Sequence, residues 1–176
     1  MYLFTISAIY FLVQIFNAGG SPPMGFDKTF NGTAMTSYYF FSHDLETWTG
    51  ALVSCNMLGG YLAEINTEPE YVFVKQASKD REGISRWVGL SNKRQGNVYE
   101  WAISHTVYNS TVFNMWATGE PDHYNGQKDE SCVLLDKFDG DGKTHNFELA
   151  DVMCDRREKY ICEYNPPQIP TLAFGK

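Results

Sequence analysis

The six residues Leu58-Gly59-Gly60-Tyr61-Leu62-Ala63 close one structural element and open another. Ahead of them Trp48, Ala51, Leu52, Cys55 and Leu58 recur every three or four positions, the spacing of one apolar helix face, with Asp44 placed to cap that helix. Gly59-Gly60 punctuates its end, and Tyr61 to Ile65 reads as a short strand. Thr67-Glu68-Pro69-Glu70 then carries the capping-box pattern, with proline early in the helix where its missing N–H costs nothing. A second helix is predicted from there to about Lys79.

Outside this helical pair the signals are of strand type. Tyr38 to Phe41 is an aromatic run, and Ser21 to Thr36, rich in Gly, Pro, Ser and Thr, reads as a lead-in to a domain that starts near Ser37. Short strands are expected at Trp87 to Leu90, Val98 to Trp101, Cys132 to Leu135 and Tyr160 to Glu163. Ser104 to Glu130 lacks periodicity yet holds Trp116, Tyr124 and several carboxylates, which marks an ordered functional loop. Asp139-Gly140-Asp141-Gly142 is read as the turn of a long hairpin between Leu135 and Phe147, because the ligand spacing of an EF-hand fails around it. Asn165 to Lys176 reads as a disordered tail. Two helices and many short strands make an α+β domain, with Trp48, Trp87, Trp101 and Trp116 expected in its core.

Charge and cysteines narrow the function. Fourteen basic residues against 21 acidic ones leave a net charge of -7, which repels nucleic acid and anionic lipid headgroups. Leu3 to Phe16 is apolar but short for a bilayer, and Ala18, Gly19 and Gly20 suit signal-peptidase cleavage. Residues 1–20 are therefore read as a signal peptide and the protein as secreted, without membrane insertion. In that compartment Cys55, Cys132, Cys154 and Cys162 pair with one another; zinc-type C-x2-C spacing is absent, and three pairings are open. Two sequons, at Asn31 and Asn109, would accept glycans. No nucleophile stands with a base and an orienting partner, and the four histidines show no metal or triad spacing, so a binding protein is expected rather than an enzyme.

Taken in order, these motifs resemble the C-type lectin-like domain from about Ser37 to Tyr164. Leu58 to Ala63 follows the first helix as in that family, and Trp87-Val88-Gly89-Leu90 is similar to its WIGL strand. Trp116-Ala117-Thr118-Gly119-Glu120-Pro121-Asp122 is similar to its W-x-x-G-E-P-N calcium loop, and Glu130 sits where the family places a ligand two residues before its third cysteine. The resemblance implies two helices with short antiparallel sheets, a long calcium-binding loop and two disulfides. It joins Cys55 to Cys162 and Cys132 to Cys154, closing spans of 107 and 22 residues, each worth roughly 3 to 5 kcal/mol in the chain-entropy model. The extra amino-terminal pair of longer members is missing, so this is the short form.

The same resemblance implies a Ca2+ site built from Glu120, Asp122, Glu130 and Asp151, with the Glu120-Pro121 bond cis. Hard carboxylate oxygens are what that ion prefers. Glu120, Asp122, Tyr124 and Glu130 would contact sugar, Tyr124 by stacking on a galactose-like ring. Two departures alter this picture. Leu149-Ala150-Asp151 stands where the family has W-N-D, and Asp122 replaces an amide, so both amide donors to a sugar hydroxyl are lost. The Glu and Asp pair matches neither the mannose-type nor the galactose-type arrangement. A second family calcium position, drawing on His123 and Ser131, looks absent. The expected function is a secreted, calcium-dependent carbohydrate-binding lectin for glycans or glycoproteins, with innate immune recognition of microbial sugars as a natural use. The alternative is a lectin-like module that binds a protein or mineral surface through the acidic hairpin Asp136 to Asp141. Oligomerisation would compensate weak single-site affinity, although no coiled-coil heptads are present to drive it.

Overall fold

Strand β2 (Thr36–Phe41) shows how the sheet begins: Ser37, Tyr39 and Phe41 are buried while the residues between them are only partly so, the period-two pattern of a strand with one inward face. β1 (Lys28–Asn31) pairs antiparallel with it, Thr29 opposite Tyr38, so the segment expected as a lead-in contributes an edge strand. In the computed structural model the described residues are 21–82, 84–94, 96–123, 130–138 and 144–167. The expected signal segment, Tyr124, the Asp139 to Gly142 turn and the tail beyond residue 167 lie outside them.

Helix α1 (Trp48–Met57) buries Trp48, Ala51 and Cys55, as their spacing requires. Its cap is Thr47 rather than Asp44: the Thr47 hydroxyl accepts from Gly50 N–H at 3.1 Å, while Asp44 accepts from the Tyr160 hydroxyl at 3.2 Å. β3 is shorter than expected, Tyr61–Leu62. Helix α2 (Glu68–Asp80) is capped by Thr67 as its sequence predicts. The Glu70 carboxylate, however, accepts from Asn66 N–H at 2.8 Å, one residue earlier than a standard capping box.

β4 (Arg86–Ser91) is buried along its whole length because neighbours cover both faces. It runs parallel to β8 (Lys159–Tyr164) and antiparallel to β5 (Glu100–Trp101) and β6 (Cys132–Phe138). Gly89 is required here by close approach: a Cβ would lie 2.6 Å from the Leu62 carbonyl oxygen, and Gly89 N–H donates to the Ala63 carbonyl at 2.7 Å. β7 (Thr144–Val152) pairs with β6 and extends well past the hairpin end expected at Phe147. The order across the sheet is β1-β2-β8-β4-β6-β7, with β3 added on β8 and β5 on β4.

Two apolar clusters flank this sheet, one around Tyr39, Ile65, Trp101 and Leu149, the other around Trp48, Trp87, Leu134 and Cys162. Each fully buried large side chain in them contributes roughly 1.5–3 kcal/mol. Trp116 differs from the other three tryptophans in being half-buried, packed against the first cluster with part of its ring open. Both expected disulfides are present: Cys55–Cys162 ties α1 to β8, and Cys132–Cys154 ties β6 to the residues after β7, with Cα separations of 5.3 and 5.1 Å. The second holds the end of β7, which carries Asp151, against β6, and so fixes the strand on which the functional loop is built.

Candidate functional site

The loop after Met115 is laid onto β7 by backbone bonds. Leu149 N–H donates to the Met115 carbonyl at 2.7 Å, and Ala117 N–H donates to the Leu149 carbonyl at 2.9 Å. Gly119, at φ +96°, then turns the chain, with Glu120 N–H closing the turn on the Ala117 carbonyl at 3.0 Å. The Glu120-Pro121 peptide bond is cis. Beyond it, Asp122 N–H and His123 N–H both donate to the Asp151 carboxylate at 3.0 Å, one to each oxygen. His123 takes φ 63°, a left-handed conformation that a non-glycine residue holds only where its surroundings require it. Here the two converging N–H donors supply the requirement.

Asp151 is the anchor of the site, 2% exposed and opposite Val133 in the β6–β7 ladder. A third donor reaches it from β5's neighbourhood: the Tyr99 hydroxyl, 2.5 Å from Oδ2 and 3.1 Å from His123 Nδ1. Burial, then the Asp151 charge, push the Tyr99 phenol far above its ordinary range, so it remains a donor at any physiological pH.

Glu120, Asp122 and Asp151 come together, each offering a carboxylate oxygen within 4.8 Å of the others. Glu120 is the unbalanced member. Its Oε2 is buried and meets no hydrogen-bond donor. Burial first, then the neighbouring Asp151, Asp122 and Glu130 carboxylates, push its pKa up to about 8. A buried acceptor left unsatisfied costs about 1–3 kcal/mol, more when charged. Three hard oxygens, one of them from a carboxylate with an unsatisfied atom, are what a divalent, oxygen-seeking cation would complete. The donor set therefore fits the Ca2+ that the motifs imply.

Of the other expected residues, Glu130 is buried beside this group, and its N–H donates to the His123 carbonyl at 3.2 Å, but it lies outside the three-carboxylate set. Ala150 is buried against Leu134 and contributes no side-chain oxygen. Asp136, expected on an acidic surface, is buried and accepts from the Ser85 hydroxyl, so it adds no exposed charge to the hairpin. Asn31 and Asn109 are both exposed. Sequence reasoning missed Tyr99 and the part played by His123. Tyr99 stands two residues before the core Trp101, as a strand residue on the same face would, but no motif announces its hydroxyl.

Comparison with known proteins gives a consistent picture. The family model described as Lectin C-type domain matches residues 44–164. The human protein "C-type lectin domain family 6 member A" is 32% identical over 130 residues, covering 74% of this chain and 56% of its own length. "Salivary C-type lectin 2" of Aedes albopictus is 27% identical over 130 residues, covering 71% of this chain and 82% of its own. The solved C-type lectin domain of murine dendritic cell inhibitory receptor 2, in complex with N-glycan, superposes with a TM-score of 0.60 at 22% identity, over 82% of this chain and 99% of that one. The chain thus spans about half the length of the human relative it matches.

Proposed function

The chain belongs to the C-type lectin domain family, a family of binding modules rather than enzymes that generally bind calcium, and from that premise we propose that it is a calcium-dependent carbohydrate-binding lectin. The observation that carries this reading is the buried, unsatisfied Glu120 Oε2 within the group of Glu120, Asp122 and Asp151. Those three carboxylates hold the ion, with Glu130 as a further ligand. Bound there, calcium supplies an electrophilic contact for the lone pairs of vicinal sugar hydroxyls. The chain's own part is to accept hydrogen bonds from those hydroxyls through the carboxylate oxygens of Glu120 and Asp122, which lie within 4.8 Å of one another. Asp151, with its three donors, keeps that loop in place whether or not sugar is present.

With Ala150 and Asp122 at the two amide positions, the acidic group accepts hydrogen bonds but donates none from side chains. Single-site affinity for a monosaccharide is accordingly weak, and neither the mannose nor the galactose class is favoured by these residues. The protein is secreted through residues 1–20, carries glycans at Asn31 and Asn109, and acts on glycans or glycoproteins in innate immune recognition. Among the described residues no helix is long and apolar enough to cross a membrane.

A broad glycan array probed with the protein in calcium and again in EDTA tests this. Binding that appears only with calcium is expected. Binding to no glycan in either condition overturns the reading and turns attention to protein or mineral surfaces.

A further inference from the structure

We propose that the cavity bordered by Glu120 receives a second, neutral sugar residue of an oligosaccharide, and that Asn97 and Asn114 supply there the amide donors missing from the acidic group. The proposal rests on the lectin reading and extends it from one sugar to a chain of at least two. The cavity, about 440 Å³, is of small-ligand size and touches Glu120, Pro121 and His123 directly. The cavity therefore adjoins the loop that carries Glu120 and Asp122.

The chemistry of its walls complements that of the acidic group. Glu120, Asp122 and Asp151 accept hydrogen bonds, whereas sugar hydroxyls both donate and accept. Its lining also includes Asn97, Ser110 and Asn114, all exposed. Asn114 Oδ1 accepts from Trp116 N–H at 3.0 Å, which fixes the amide and leaves its N–H pair for another acceptor. Tyr108 and Trp116 line it as well, half-buried and held edge-on with ring centroids 5.9 Å apart, an apolar surface for the C–H face of a pyranose ring. Among the described residues no Lys or Arg lines the cavity, and Glu120 borders it, so an anionic sugar is disfavoured and a neutral hexose fits. Tyr99, whose hydroxyl anchors Asp151, also forms part of the wall, so ion site and cavity share a rigid partition.

The test uses the calcium-loaded full chain, with calorimetry against methyl mannoside, mannotriose, methyl galactoside and N-acetyllactosamine. At least one oligosaccharide is expected to bind about tenfold more tightly than its terminal monosaccharide, the worth of one or two net hydrogen bonds. The double variant Asn97→Ala with Asn114→Ser removes both amides while leaving an oxygen at 114 to accept from Trp116 N–H; it should abolish that advantage while leaving calcium and monosaccharide affinity unchanged. Oligosaccharides that bind no better than monosaccharides overturn this inference and leave the lectin reading standing. A variant that weakens both kinds of ligand equally also overturns it. Binding of neither class of sugar overturns both.

Discussion

Among the described residues, two groups of buried acids are built differently. In the first, between β3, α2 and β8, every carboxylate is met by protein donors. Glu64 Oε1 accepts from Ile103 and Ser104 N–H at 2.7 and 3.0 Å. Glu70 accepts from Asn66 N–H and the Tyr39 hydroxyl. Glu163 accepts from Glu64 N–H and the Asn165 amide, both at 3.1 Å. In the second, Asp151 is met in the same way by three donors, but Glu120 beside it is left with a buried oxygen and no donor. The difference teaches that acidic residues close together mark no ligand by themselves. A residual, unsatisfied acceptor among them does, because folds rarely leave a buried acceptor without a donor.

Substitutions can break or sharpen this contrast. The largest effect is expected for Asp151→Ala, which removes a ligand and the acceptor that holds Asp122 and His123 N–H. Calcium affinity should fall about 100-fold or more by calorimetry, while the two disulfides keep the fold. A loss of less than about threefold would place the ion elsewhere.

Glu163 probes the first group. Burial, and next the Glu70 charge, raise it from 4.5 to about 7. Its folded pKa lies above its unfolded one, so the folded chain holds the extra proton, and this contribution to stability is lost as pH rises from about 4.5 through 7. Glu163→Gln should therefore gain up to about 3 kcal/mol over the parent at pH 8 and almost nothing at pH 4, measured by urea denaturation without reductant. A pH-independent difference would show that Glu163 does not titrate in this window. Calcium affinity at the Glu120 group should not change.

A smaller effect is expected for Tyr99→Phe, which keeps the ring packed on Trp116 and deletes only the hydroxyl given to Asp151. Partners that orient a ligand typically matter 10–100-fold, and calcium affinity should drop about tenfold here. Unchanged affinity would mean that the two backbone N–H donors orient Asp151 without help.

The sequence disclosed the parts of this design that depend on periodicity, small-residue turns or motif order. The α1 face, the Thr67 cap, the strand at Trp87 to Leu90 and the four cysteines are of this kind. Elements shaped by context were hidden. β1, Lys28–Asn31, has little strand propensity and exists because β2 offers a free edge. β7 is obscured at its start by Asn146 and Phe147, both with positive φ, which break the period-two pattern before Glu148 resumes it. Thr47 replaces Asp44 as cap because β2 and β8 hold Asp44 in a contact with Tyr160. In the site, Glu120, Asp122 and Asp151 were legible through motif register, whereas the Tyr99 hydroxyl and the His123 N–H act across 52 and 28 residues of sequence, distances over which no local pattern operates.

Calorimetric titration of calcium into the metal-free protein, run in parallel with Glu120→Gln, tests the central claim most directly. The account predicts calcium binding by the parent protein that is lost, or weakened about 100-fold, in Glu120→Gln. Equal calcium binding by the two proteins, or none by the parent, would contradict it.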